Sequence, residues 1–227
     1  MPLEYFQYLS NPNVGLYIVA TDRFILVPEG MSDGKVEFLK RCFEVEEALR
    51  IRIRGSKLLG VLSIANSNGV VLPEGCEHEA KFIKEQLGVE AVSLPTYIAL
   101  GNRVLTNDRG AVVDLKMPES ITSAIEDVLG VEVKYSTIAG LPYVGSSAVA
   151  SNTAVYAHPG IRSDELSLIE KVLKVPVHTG TVVNGLPYVK VGLVVNSRGG
   201  VVGRGTLGDE LLAISQAFGF GESYERG

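Results

Sequence analysis

Short polar clusters interrupt the chain at near-constant intervals, and each lies between two apolar, β-branched runs. The nine-residue segments ATDRFILVP (20–28), ANSNGVVLP (65–73), TNDRGAVVD (106–114), SNTAVYAHP (151–159) and VNSRGGVVG (195–203) align, with starts 45, 41, 45 and 44 residues apart. A polar turn between two such runs, as between Val61-Leu62-Ser63-Ile64 and Val70-Val71-Leu72, predicts a β-hairpin. The second place of the segment holds Thr21, Asn66, Asn107, Asn152 and Asn196, residues that accept turn conformations and bond their own backbone. Gly69, Gly110 and Gly199 follow three residues later.

After every hairpin the apolar period changes to that of a helix. Val36, Leu39 and Phe43 share a face, as do Ala80, Ile83 and Leu87 ahead of Gly88. Pro118 suits a first helical position before Ile121, Ile125 and Val128; Ser163 is the expected cap before Leu166, Ile169 and Leu173; Thr206 is expected to cap a run holding Leu211, Ile214 and Phe218. A third strand follows in four copies, for example Val131–Tyr135 and Val175–His178. The chain therefore reads as a single α/β domain, 1–227, of five β-β-α-β repeats near 10–54, 55–96, 97–140, 141–184 and 185–219, with a short tail, 220–227. The fifth copy lacks its third strand, while a strand-like segment, Leu3 to Tyr8, precedes the first. That complementarity predicts a five-bladed ring, an α/β propeller closed by the N-terminal strand, because closure removes exposed sheet edges. An open solenoid would need distinct capping repeats, and none is evident.

Composition narrows the function. A net charge of −5 argues against a protein that coats DNA or RNA with one broad basic face, though a local contact remains open. With two cysteines, Cys42 and Cys76, there is no disulfide framework or zinc spacing, and no apolar run reaches membrane-spanning length; a cytoplasmic protein is expected.

Few residues propose chemistry. Gly203, Gly205 and Gly208 form G-x-G-x-x-G at a strand-to-helix junction, but the chain ends before a second parallel strand with its acid, so a tight turn explains them. His78, His158 and His178 lie in different repeats without metal spacing, and His178 is expected to be a partly buried strand residue. Both cysteines are expected to pack as small hydrophobes. Glu119, Asp164 and Glu165 fall in first helical turns, where the helix dipole accounts for them. The turn asparagines Asn66, Asn107, Asn152 and Asn196 are the most informative polar set: in a ring they share one end and form either a polar rim for binding or merely Asx-type turns.

The stretches LLGVLSIANSNGVVLPEG (58–75), ALGNRVLTNDRGAVV (99–113), GLPYVGSSAVASN (140–152), GLVVNSRGGVVG (192–203) and TLGDELLAISQAFG (206–219) resemble the archaeal branch of translation initiation factor 6, in order and across nearly the whole chain. The resemblance implies a pentein fold of five pseudo-symmetric β-β-α-β subdomains, a monomer without cofactor, metal or catalytic residues. It implies binding to the large ribosomal subunit, beside the sarcin-ricin loop of its rRNA and neighbouring ribosomal proteins, which blocks the small subunit from joining, and a possible part in large-subunit maturation. The ribosome-facing residues it points to are Asn107 with Asp108 and Arg109, then Asn66 and Asn68, with Asn152 and Asn196 as their repeat counterparts; at Val61 eukaryotic members carry an arginine, so that contact cannot be the same. Replacing Asn107 by Lys is expected to weaken binding without unfolding the ring. Eukaryotic members also extend past the fifth repeat, and their tail-based regulation does not transfer. The competing reading is the guanidino-modifying pentein enzymes, which use a late nucleophilic cysteine; here none follows Cys76.

Overall fold

The computed structural model describes residues 3–220, and the tail segment 221–227 lies outside the described residues. Five three-stranded sheets stand around a common axis. In the second blade, Ile64–Ala65 and Gly69–Leu72 make the antiparallel hairpin, the helix Glu77–Leu87 crosses over, and Glu90–Ser93 returns parallel to Gly69–Leu72. The other blades repeat this order.

The middle strand of every blade is buried end to end because helices cover both its faces. Val70 and Leu72 pack with Ala80 and Ile83 of their own helix, whereas Val71 points the other way, toward Ile121 and Ile125 of the third blade. The alternation passes around the ring until Val201 of the fifth blade meets Val36 and Leu39 of the first. There is thus no single central core; five apolar clusters sit between neighbouring blades.

The strand Leu3–Phe6 completes the fifth blade, pairing parallel with Gly200–Gly203 from Leu3↔Gly200 to Phe6↔Gly203. The expected closure is therefore present, two residues shorter than Leu3 to Tyr8 suggested.

Two expectations need correction. Val61 and Leu62 are not strand residues: Leu59–Leu62 is a single helical turn, closed by Ser63 N–H and Oγ–H donating to Leu59 O (2.9 and 2.8 Å). A lone turn is too short to display a helical period, so its β-branched residues read as strand. The fourth repeat is also misaligned by one residue. Ala150 pairs with Val155 as Ala65 pairs with Val70, so Ser151, not Asn152, occupies the place of Asn66, Asn107 and Asn196. Helix starts shift slightly too: Arg162 is the N-cap of Ser163–Leu173, Pro118 that of Glu119–Leu129, and Leu207 that of Gly208–Phe218.

Candidate functional site

The second place of each turn faces inward. Asn66, Asn107 and Asn196 are buried, at 2, 5 and 2% exposure, and their amides are fully engaged. Asn107 Oδ1 accepts from the N–H groups of Arg109 (2.9 Å) and Gly110 (3.1 Å), while its Nδ2 donates to Ser151 O and Leu173 O in the fourth blade, both at 3.0 Å. Asn66 reaches Asn107 O and Leu129 O of the third blade in the same way, and Asn196 reaches Thr21 O and Phe43 O of the first. Each side chain shapes its own turn and staples the next blade, satisfying a carbonyl at the end of that blade's helix. The polar rim expected of these three asparagines is an internal girdle.

The third place forms a polar network about the axis that runs from Ser67 through Asp108 and Asn152 to Ser197 and Asp22. Ser67 donates through N–H and Oγ to Asp108, both at 2.7 Å, and Ser197 donates likewise to Asp22 at 2.8 and 2.7 Å. Asn152 joins the halves, its Nδ2 donating to Asp22 Oδ2 (2.8 Å) and Asp108 Oδ2 (2.6 Å) and its Oδ1 accepting from Asp108 N–H (3.0 Å).

The fourth place points out. Arg23, Asn68, Arg109, Thr153 and Arg198 are exposed around the turn end of the ring. Their inner atoms still reach the neighbouring blade: Arg23 Nη1 donates to Ser67 O and Arg109 Nη1 to Lys174 O, both at 3.0 Å, and Arg198 Nη2 donates to Asp22 O. Lys174 adds a cation beside Arg109, and Glu44, beside Phe43, subtracts from the patch near Arg198. The residues expected to form one site are thus divided. Asn68, Asp108, Arg109 and Asn152 reach the turn end, Asn66, Asn107 and Asn196 lie beneath it, and Val61 sits at the opposite end of the axis in a shallow depression with Leu16, Asn102, Ser146 and Val191.

Between the two ends runs a channel of about 80 Å³. Its walls are the first hairpin strands of all five blades, each touching the next and the last touching the first. At the depression end the half-buried Lys190 lies across the bore, and desolvation inside the ring pushes its ammonium group down to about 8.

Other expected residues resolve individually. Cys42 and Cys76 are buried as expected, and desolvation raises both thiols, Cys42 to about 11, opposite to what a nucleophile needs. His178 is exposed on an outer strand rather than partly buried, because that strand has no blade beyond it on one side. Glu165 does more than complement a helix dipole. Burial alone would raise its pKa, but donors from Arg162 N–H, Thr137 Oγ, Gly140 N–H and Ala139 N–H outweigh it and hold the carboxyl below its usual value. Glu210 binds the loop of Thr181, Asn184 and Gly185 in the same manner.

A family model described as the eIF-6 family matches residues 3–217. The chain belongs to that family. It is 36% identical to "Translation initiation factor 6" of Pyrococcus horikoshii over 227 residues, covering 97% of this chain and all of the relative. It is 37% identical to the protein of the same name from Methanocaldococcus jannaschii, covering 94 and 96%. A solved DDAH from Pseudomonas aeruginosa bound to citrulline covers 74% of this chain and 68% of its own at 13% identity with a TM-score of 0.43, too slight a likeness to bear on chemistry. Family membership supports a role as a translation initiation factor and fits the five-bladed pentein ring. Among the described residues, no helix is long and apolar enough to cross a membrane.

Sequence reasoning overlooked Asp22, Ser67, Ser197, Arg23, Arg198 and Lys190. A signal for the last was present: Gly15, Gly60, Gly101, Gly145 and Lys190 are spaced 45, 41, 44 and 45 residues apart, the same intervals that separate Thr21, Asn66, Asn107, Ser151 and Asn196.

Proposed function

We propose that this protein binds the large ribosomal subunit and, as a rigid body on its intersubunit face, keeps the small subunit from joining. The observation that carries the reading is full-length membership of the eIF-6 family together with a ring stapled between blades, a shape suited to steric obstruction. We assign the contact to the turn end, where the exposed Arg23, Arg109 and Arg198, with Lys174, offer cations to an RNA backbone and Asn68 and Thr153 offer neutral hydrogen-bonding groups. Asp108 and Asn152 support this surface from beneath, while Asn66, Asn107 and Asn196 hold its shape. With few phosphate contacts, binding falls only modestly with salt.

The test is sedimentation with purified subunits. The protein co-migrates with the large subunit and lowers the yield of joined ribosomes; co-migration with the small subunit alone refutes the function. Replacing Arg23, Arg109 and Arg198 together by Glu weakens large-subunit binding at least about tenfold, that is by ~1.4 kcal/mol or more. Unchanged binding by a variant that still melts cooperatively would move the contact to another surface.

A further inference from the structure

Four of the five turns around the depression end carry glycine at the same place, and the reason is contact between main chains. A Cβ on Gly60 would lie 2.0 Å from Gly15 O, one on Gly101 2.0 Å from Gly60 O, and one on Gly145 2.4 Å from Gly101 O. The fifth turn has Lys190 there, and a Cβ on Gly15 would lie 1.7 Å from its carbonyl oxygen. The lysine side chain spans the bore and donates from Nζ to Gly101 O, 2.6 Å away in the third blade. It borders both the channel and the outer depression.

Around this ammonium the charge does not balance. An ammonium carries three donors, and among the described residues Lys190 has one acceptor, Gly101 O. Every other residue lining the channel or the depression is uncharged. Asp22 and Asp108 stand at the far end, past a collar of Ala20, Ala65, Thr106, Ala150 and Val195, and their oxygens are already engaged by Ser67, Asn152 and Ser197. From Leu193 to Ser197 alone is roughly 13 Å of extended strand. Lys190 is half-buried, and its ammonium group faces a narrow bore with no other charge, where a cation is ordinarily paired. The channel wall can assist, because the first strand of each hairpin is the edge of its sheet and lines the bore, and an edge strand has backbone groups that no further strand pairs.

We propose that the channel beside Lys190 binds a small inorganic monoanion of the chloride class, held between the ammonium group and inner-strand N–H groups. A single positive charge favours a monoanion, since a dianion would leave one charge desolvated and unpaired. The volume of about 80 Å³ admits such an ion with a few waters and excludes nucleotides.

Bromide is the probe. Crystals of the full chain soaked in sodium bromide give an anomalous peak in contact with Lys190 Nζ that excess chloride removes and that K190M lacks. In solution, replacing gluconate by chloride at constant ionic strength raises the melting temperature by about 3–6 °C once chloride exceeds its Kd about tenfold. Should K190M fail to fold, the chloride-competed bromide peak and the melting shift of the unaltered protein decide the matter. Bromide peaks confined to the outer surface, or a melting temperature indifferent to chloride, overturn the proposal.

Discussion

Asn107 separates a binding role from an architectural one, and the structure sets the size of the effect. Asn107→Ala removes four hydrogen bonds, three of them fully buried: two from the N–H groups of Arg109 and Gly110, and two to Ser151 O and Leu173 O. At about 1 kcal/mol net for each, the loss is about 4 kcal/mol, and partners left buried without an acceptor or donor hold it above ~3 kcal/mol. For a chain of this size each kcal/mol corresponds to roughly 2–4 °C, so the melting temperature falls by about 8–16 °C. Asn68→Ala is the control: exposed, with one side-chain bond across the ring, to Leu129 O at 2.9 Å, it costs under about 1 kcal/mol. Thermal and urea unfolding followed by circular dichroism measure both. If Asn107→Ala melts with the parent protein yet loses ribosome binding, the girdle is not structural and Asn107 is a contact after all. The expectation that Asn107→Lys spares the ring fails on the same geometry, since a lysine has no acceptor for the N–H groups of Arg109 and Gly110 and would bury its charge beside them.

The carboxylates and the axial glycines give sharper cases. Glu210 has its pKa lowered in the folded state: burial opposes ionisation, but donors from Leu207 N–H, Thr181 Oγ, Gly185 N–H and Asn184 N–H prevail. Because the folded value lies below the unfolded 4.5, its stabilisation is complete above that pH and disappears as pH falls through the folded value. Melting curves taken from about pH 5 downward fall less steeply for E210Q, and parallel curves would contradict the assignment. Gly60→Ala places a Cβ 2.0 Å from Gly15 O and 3.1 Å from Ile18 O, both main chain, so no rotamer relieves it. A loss of about 3 kcal/mol or more in urea unfolding is expected, whereas Gly34→Ala, with nothing within 4 Å of the new carbon in the helix Asp33–Phe43, is neutral or stabilising.

What was legible in the sequence was what repeats in register. The hairpins announced themselves because an Asx-type turn needs Thr21, Asn66, Asn107 or Asn196 at one fixed place, and the ring announced itself because Leu3–Phe6 and the unfinished fifth copy were complementary. The fourth repeat slipped because Ser151 performs the same turn with a hydroxyl, Oγ accepting from Thr153 and Ala154 N–H, while the adjacent Asn152 offered a false match. Burial was illegible for another reason. An asparagine in a polar turn resembles a surface residue, and the carbonyls it serves, such as Leu173 O, lie 66 residues away. Separation in sequence also hid Glu165, whose loop partners Thr137 and Ala139 precede it by 28 and 26 residues, with the whole fourth-blade hairpin between.

Ring closure also constrains how the protein can be made. Leu3 pairs with Gly200, so this strand, once it leaves a ribosome, remains an unpaired edge until nearly 200 further residues have been added. At ordinary elongation speeds of about 5–20 residues per second that interval lasts on the order of 10–40 s. The early blades can bury their sides against one another as they emerge, but the cluster joining Val201 to Val36 and Leu39 cannot form until the last blade arrives. The seam between first and last blades is thus the slowest and least local step of assembly. It is where a nascent chain stays open to chaperones, and where an exchange of N-terminal strands would link two copies.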